Sequence, residues 1–179
     1  LEEHFPLSVF QTGSGTQTNM NVNEVISNLA NKILDKKIIH PNDHVNMSQS
    51  SNDIFPSAMS IAAYKMTVER LIPACDRLIL AFKGIEEKYP NVKKVGRTHL
   101  QDATPIKFSE EVYGWRGLVE SAREQILSAI PYLLRLAVGG TAVGTGINSP
   151  DGFDFEVCSI LSSDFGYEFT PDKNKFHAL

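Results

Sequence analysis

Two apolar stripes repeat every seven residues along much of this chain. In the first, Ile61, Val68, Cys75 and Phe82 fall seven apart, and so do Tyr64, Leu71, Leu78 and Ile85. In the second, Phe108, Val112, Trp115, Val119, Ala122, Ile126, Ala129, Leu133 and Leu136 advance in alternating steps of four and three. A seven-residue period sustained over that span specifies long helices that pack side by side. The first helix is expected from Asp53 to Lys88, about 50 Å at 1.5 Å per residue. Asn52 or Asp53 would cap it near Pro56, Pro73 would kink it, and Gly84 with Tyr89-Pro90 would weaken and end it. The second is expected from Pro105 to Leu136, bent near Pro131.

Two such helices cannot bury their stripes on each other alone. They need further helices, from more of the same polypeptide or from other subunits, and symmetric oligomerisation is the economical solution. A third amphipathic helix is expected from Asn19 to Lys36, with Met20, Val22, Val25, Ile26, Leu29, Ala30, Ile33 and Leu34 recurring at three and four. Asn19 or Asn21 would cap it, Glu24 would answer Asn21 in a capping box, and Lys36 and Lys37 would close its last turn. A shorter helix fits 153–163, and Asp172 to Lys175 reads as the opening of another. No stretch reads as a set of alternating strands, so the class is all-α, built on long, nearly parallel or antiparallel helices.

Composition narrows the function. The chain has 179 residues and a formal net charge of −4. That gives no electrostatic footprint for nucleic acid and no pull toward an anionic membrane. No apolar run reaches the ~20 residues of a membrane span. Cys75 and Cys158 are far apart and not in a CxxC, which fits a reducing compartment and a structural role. The chain starts at Leu1 with no signal-peptide pattern, and Lys175-Phe-His-Ala-Leu179 reads as the start of a helix. The expectation is a piece of a longer polypeptide.

The polar side chains concentrate in loops at the ends of the helices. Residues 1–19 are expected to be irregular and include Thr12-Gly-Ser-Gly-Thr16. Next comes His40-Pro-Asn-Asp-His-Val-Asn-Met-Ser-Gln-Ser-Ser-Asn-Asp53, and then Gly96-Arg-Thr-His-Leu-Gln-Asp-Ala-Thr-Pro105, expected as a loop within 90–104. These loops offer hydroxyls, amides and imidazoles, the groups that grip a small anion by hydrogen bonds. Helix N-termini would add partial positive charge, and a histidine moves a proton near neutral pH. A dicarboxylate suits such a site. His40 and His44 are four apart but lack a third ligand, so no metal site is read here. No Ser-His-Asp arrangement is evident. The glycine-rich Val138–Asn148 segment does not follow a strand, which disfavours dinucleotide binding. Each residue also has a plainer reading: Ser50, Ser51 or Asn52 as helix caps, Asp43 and Asp53 as turn or cap residues, His40 packed on Pro41, His99 as a structural loop histidine.

Taken together, Gly13-Ser-Gly-Thr-Gln-Thr-Asn-Met-Asn21, His40-Pro-Asn-Asp-His-Val-Asn46, Gln49-Ser-Ser-Asn-Asp53, Gly96-Arg-Thr-His-Leu-Gln-Asp102 and Gly139-Gly-Thr-Ala-Val-Gly-Thr-Gly146 resemble class II fumarase, of the fumarase/aspartase superfamily. Ser51 and His99 stand where aspartases typically carry Thr and Gln, which favours the fumarase side. The resemblance implies an L-aspartase-like central bundle of long helices. Residues 1–47 would be the end of an N-terminal domain, and 48–179 the first, incomplete part of the long-helix domain. It implies reversible hydration of fumarate to (S)-malate without cofactor or metal, by a homotetramer whose sites draw on three subunits, in the bacterial cytoplasm or the mitochondrial matrix.

On that pattern Ser14, Gly15 and Thr16, with Ser50, Ser51, Asn52 and Thr98, bind substrate. His99 handles a proton on the water side. His40, Pro41, Asn42 and Asp43 correspond to a secondary dicarboxylate site, with Lys37 where an Arg is usual. The family's mobile Gly-Ser-Ser-x-Met-Pro-x-Lys-x-Asn loop, which carries the serine favoured as base, is not in these 179 residues. The 179 residues alone are therefore expected not to hydrate fumarate. The alternatives are an aspartate ammonia-lyase of the same superfamily or a non-catalytic helical oligomerisation module.

Overall fold

The computed structural model describes residues 2–8 and 14–179; Thr12 and Gly13 of the first polar loop lie outside them. After a short 3₁₀ turn at Glu2–His4, the order is α1 (Gly15–Leu34), a π turn (Pro41–Val45), α2 (Ser51–Met66), a second π turn (Thr67–Leu71) and α3 (Ile72–Lys88). A hairpin follows, β1 (Lys93–Thr98) and β2 (Gln101–Lys107), then α4 (Phe108–Leu133), β3 (Arg135–Leu136), α5 (Phe153–Phe165), β4 (Thr170–Pro171) and α6 (Lys175–Ala178). The chain is predominantly helical, as the heptads require. No described helix is long and apolar enough to cross a membrane. The fold divides into two compact units, Leu1–Ala62 with Leu133–Leu179, and Ala63–Tyr132; each is taken by itself.

Several elements differ from the sequence expectation, each for a local reason. Helix α1 starts at Gly15, four residues early, because Ser14 in extended conformation caps it and its Oγ accepts from Gln17 N at 3.2 Å. Asn19 and Asn21 are therefore interior residues, and the Asn21–Glu24 capping box does not form. The helix stops at Leu34, where Asp35 turns left-handed with φ 49°, leaving Lys36 and Lys37 beyond its last turn. The side chains it buries are Asn19, Asn23 and Ser27, while Val22, Ile26, Ile33 and Leu34 of the expected apolar stripe are exposed.

In the first long helix the break falls before Pro73, not at it. Proline lacks the N–H for the i−4 carbonyl and crowds that turn. The π turn at Thr67–Leu71 absorbs the conflict one turn early, and Pro73 sits in the first turn of α3. The helix ends at Lys88 as expected.

Residues 93–107 form an antiparallel hairpin where a loop was expected. Its tip, His99-Leu100, has φ of 48° and 60°, the conformation of a tight hairpin turn that glycine or asparagine normally supplies. The strand register shifts between Val95 and Arg97. The intervening Gly96 is required there, since a Cβ would lie 2.6 Å from Thr104 O. Pro105 is thus a strand residue, and α4 begins only at Phe108.

In the Ala63–Tyr132 unit, α4 runs antiparallel to α3. Arg116 Nε reaches Glu86 Oε1 at 2.8 Å, and Arg123 Nε reaches Asp76 Oδ1 at 2.7 Å. Trp115 packs on Phe82 and Phe108 with centroids 6.3 and 6.5 Å away. Val112 is fully buried.

The core of the other unit is Leu136, Val138, Cys158 and Phe169, with Ile54, Ile61, Phe153 and Leu161 against it. Leu136, expected as the last knob of a helix, instead pairs in parallel with Pro171 across β3 and β4. Burial pushes the Cys158 thiol up to about 11, so it is an inert core residue near neutral pH.

Candidate functional site

The helix N-termini of α1 and α2 come together. Gly15 allows it: a Cβ there would lie 2.8 Å from Phe55 Cδ1 of α2. Gly15 and Thr16 from α1, with Ser51 and Asn52 from α2, line an open cleft of about 450 Å³. Phe55, Pro56, Ala142, Val143, Phe176 and Leu179 supply its apolar wall. The first turns of two helices and three residues with hydroxyl or amide side chains thus border one space, the setting for an anion attached to a short hydrocarbon.

Ser50 caps α2. Its Oγ accepts from Asn52 N at 3.2 Å, and its own N–H donates to Asp53 Oδ1 at 2.9 Å, a reciprocal arrangement of the capping-box kind. The expectation that one of Ser50, Ser51 and Asn52 caps the helix is met by Ser50, and Asp53 is its partner rather than the cap. A second cleft of about 450 Å³ opens on the other side of Ser51, lined by Ser50, Asn42, Asn46, Thr141 and Asn148 among others.

Asp53 is fully buried. Beside the Ser50 contact, its Oδ2 accepts from Gly139 N at 3.0 Å and Thr141 N at 2.8 Å. Burial pushes its carboxyl above the ordinary range, and the backbone donors oppose that shift. These bonds hold the glycine-rich segment against the start of α2. Ser57 Oγ adds a bond from Val138 N at 3.0 Å, and Lys175 Nζ reaches Val138 O at 2.7 Å. Thr141 is kept at φ 55°, an uncommon state for a β-branched residue and so a held conformation. Asn52 Nδ2 closes the contact by donating to Ala142 O at 2.7 Å.

Behind Ser51, a polar stripe on α1 bonds to the 38–51 segment. Asn31 Oδ1 accepts from Ile38 N at 2.9 Å and Ile39 N at 2.8 Å, and Ser27 Oγ donates to Ile39 O at 2.6 Å. Asn23 and Asn19 donate to Asn46 Oδ1, each at 3.1 Å, and Asn19 Nδ2 also reaches Ser51 Oγ at 2.9 Å. Sequence reasoning took Asn19 only as a possible helix cap and gave Asn23 and Asn46 no role of their own. The signal available was the four-residue spacing Asn19, Asn23, Ser27, Asn31, which places polar groups on one helix face.

His40, Pro41, Asn42 and Asp43 do not gather on one cleft. His40 caps the first π turn, its Nδ1 accepting from Asn42 N at 3.3 Å and Asp43 N at 3.2 Å. Asp43 Oδ2 also lies 3.3 Å from that same Nδ1. Asn42 faces the Ser50 cleft, whereas Pro41 lines a wider one of about 690 Å³ with Lys32, Lys36 and Lys37. Ser14 is exposed beside its cap role. Thr98 and His99 belong to the Ala63–Tyr132 unit, exposed at the end of β1 and in the strained turn after it. Among the described residues no three His, Cys, Asp or Glu side chains cluster to hold a metal ion.

The chain matches the model of the lyase family over residues 1–179. It is 53% identical over 183 aligned residues to the class II fumarate hydratase of Staphylococcus haemolyticus, taking in 100% of this chain and 40% of that one. To the Campylobacter jejuni class II fumarate hydratase it is 49% identical over 184 residues, with the same shares covered. Among solved structures, the class II fumarase of Schistosoma mansoni superposes with a TM-score of 0.89 at 43% identity, over 99% of this chain and 41% of that one. The 3-carboxy-cis,cis-muconate lactonizing enzyme of Pseudomonas putida, at 18% identity and a TM-score of 0.69 over 94% of this chain and 36% of that one, shares the fold. The chain thus spans about 40% of the length of the curated relatives it matches.

Proposed function

This chain belongs to the lyase family, and on that premise we propose that it is part of a fumarate hydratase of class II, adding water to fumarate to give (S)-malate. The observation that carries the reading is the cleft where α1 and α2 begin. Thr16, Ser51 and Asn52 surround it with neutral donors, and the two helix termini add partial positive charge. Such a cleft holds a carboxylate. It also stabilises the extra negative charge that builds on that carboxylate when a proton leaves the adjacent carbon.

In this reading Ser14, Gly15 and Thr16, with Ser50, Ser51 and Asn52, bind the substrate carboxylates, and Thr98 completes the pocket. His99 handles the proton on the water side, reaching a pocket built with other subunits of a homotetramer. His40, Pro41, Asn42 and Asp43 form the secondary dicarboxylate site, of which Pro41 and Asn42 line different clefts. The base for the carbon-bound proton comes from outside these 179 residues.

The test follows fumarate absorbance in the ultraviolet with two samples: the 179-residue chain alone and the complete polypeptide that carries it. The complete polypeptide is expected to turn over and the 179 residues alone are not. Turnover by the 179 residues at the complete enzyme's rate overturns the assignment of the base. Release of ammonia from aspartate, with no hydration of fumarate, replaces the proposal with an ammonia-lyase.

A further inference from the structure

We propose that Asn19 is a positioning residue that sets the direction of the Ser51 hydroxyl, turning its proton toward a bound carboxylate; this rests on the fumarate hydratase reading above. The argument begins at a group with no choice. Gln49 O is a backbone carbonyl and only accepts, and Asn46 Nδ2 donates to it at 3.4 Å. That fixes which way the Asn46 amide faces, so its Oδ1 is the atom presented to α1. Asn19 and Asn23 must then present their Nδ2 groups to it, as they do at 3.1 Å each. Asn19 is 7% exposed, and the second hydrogen of its Nδ2 goes to Ser51 Oγ at 2.9 Å.

A hydroxyl that accepts from Asn19 holds its own proton elsewhere. Ser51 lines both clefts beside the start of α2, so that proton is available to an anion in them. If the relay ran the other way, the proton would be taken up by Asn19 and lone pairs would face the carboxylate. The amide chain from Gln49 O through Asn46 and Asn19 therefore decides whether Ser51 attracts a dicarboxylate or repels it. Asn23 shares Asn46 without touching Ser51, which makes it an internal control.

The experiment uses the complete polypeptide with Asn19→Ala, Asn19→Asp, Asn23→Ala, Ser51→Ala and the Asn19/Ser51 double variants. KM and kcat for fumarate are measured, with the inhibition constant of succinate as an unreactive dicarboxylate and the melting temperature as a control. Asn19→Ala is expected to raise KM and the succinate constant about tenfold, the size of a lost hydrogen bond to a charged group. Asn19→Asp, which offers only acceptors and draws the Ser51 proton inward, is expected to raise them further, and Asn23→Ala to leave them unchanged.

With Ser51→Ala in place, either change at Asn19 is expected to shift them less than about twofold, because the residue acts through Ser51. A charge effect of Asn19→Asp would persist in that background and would overturn the proposal, as would additive losses from Asn19→Ala and Ser51→Ala. Asn19→Asp keeps the side-chain volume and carries the test if the alanine variant does not assemble. A wild-type polypeptide that does not hydrate fumarate overturns this inference together with the function it rests on. An active wild type with additive losses overturns this inference alone.

Discussion

The seam between α1 and the 38–51 segment and the pair α3–α4 are both built on helices, but they bury opposite things. Along α1 the inward face is Asn19, Asn23, Ser27 and Asn31, and the Nδ2 groups of the three asparagines, the Ser27 hydroxyl and Asn31 Oδ1 all meet named partners across the seam. Along α3 and α4 the contact is apolar and ionic, and much apolar surface is left over. Leu118, Leu80 and Tyr113 are 72%, 65% and 60% exposed. A hydrogen-bonded seam is directional and accepts one register, since a shifted partner leaves buried groups unpaired. An apolar stripe is non-directional and gains from any apolar surface that covers it. The first region positions a site, and the second is suited to association with further helices, consistent with the tetramer proposed above.

The contrast is broken most severely at Asp53, where the polar seam continues into the glycine-rich segment. Asp53→Ala strands the N–H groups of Ser50, Gly139 and Thr141, and is expected to cost about 3 kcal/mol or more in a urea titration. Asp53→Asn keeps the shape but turns an NH₂ toward at least one of those donors, and is expected to cost about 1–3 kcal/mol. The pH dependence has a defined sign. Burial raises the folded-state carboxyl above its ordinary 3.8, so the folded chain takes up this proton at a higher pH than the unfolded chain. The contribution is therefore fully present below 3.8 and is lost as pH rises through the folded value. The melting-temperature gap between wild type and Asp53→Asn is expected to widen on acidification toward 3.8. A gap that narrows instead would show that the three donors outweigh burial.

What was legible in the sequence follows the same divide. The heptads announced α2, α3 and α4, and the end at Lys88 could be read from Tyr89-Pro90, because proline and period act locally. Serine and asparagine at 50–52 pointed to a helix start and a binding loop for equally local reasons. The inward face of α1 was misread because periodicity identifies a helix without saying which face has a partner, and its partner is a polar segment whose backbone needed donors. The hairpin was missed because His99-Leu100 carries none of the glycine or asparagine that marks such a turn. Leu136 continued the heptad by coincidence of spacing, while pairing with Pro171 decided its place. Asp53 looked like a cap because its distant donors, Gly139 and Thr141, lie far along the chain.

A smaller effect separates the two faces of α1. Asn23→Ala removes one bond from the seam and is expected to cost about 1 kcal/mol, measured by chemical denaturation. Ile26→Ser on the 46%-exposed face is expected to change the stability of the dissociated chain by less than about 0.5 kcal/mol. If that face is covered by another subunit, the same variant lowers the concentration at which the assembly holds together, read by sedimentation. Equal costs for the two substitutions in the dissociated chain would mean that α1 buries its apolar side and that the seam is not what anchors it.

The smallest effect is expected in the ionic part of the α3–α4 pair, and it asks whether that contact has any of the seam's directionality. Arg123 meets Asp76 through two oxygens, but the side chains are 29% and 48% exposed. Water screens such a pair, and holding two long side chains costs conformational entropy. Asp76→Ala is therefore expected to change stability by about 0.5 kcal/mol or less, and the change should shrink further as salt is raised. Arg116 is better sheltered, with side-chain exposures of 15% for itself and 19% for Glu86, and it also reaches Glu120 at 2.6 Å. Glu86→Ala should accordingly cost more than Asp76→Ala. If the exposed pair proved as costly as the sheltered one, register along α3 and α4 would be fixed by charge, and the apolar stripes would be less permissive than their chemistry implies.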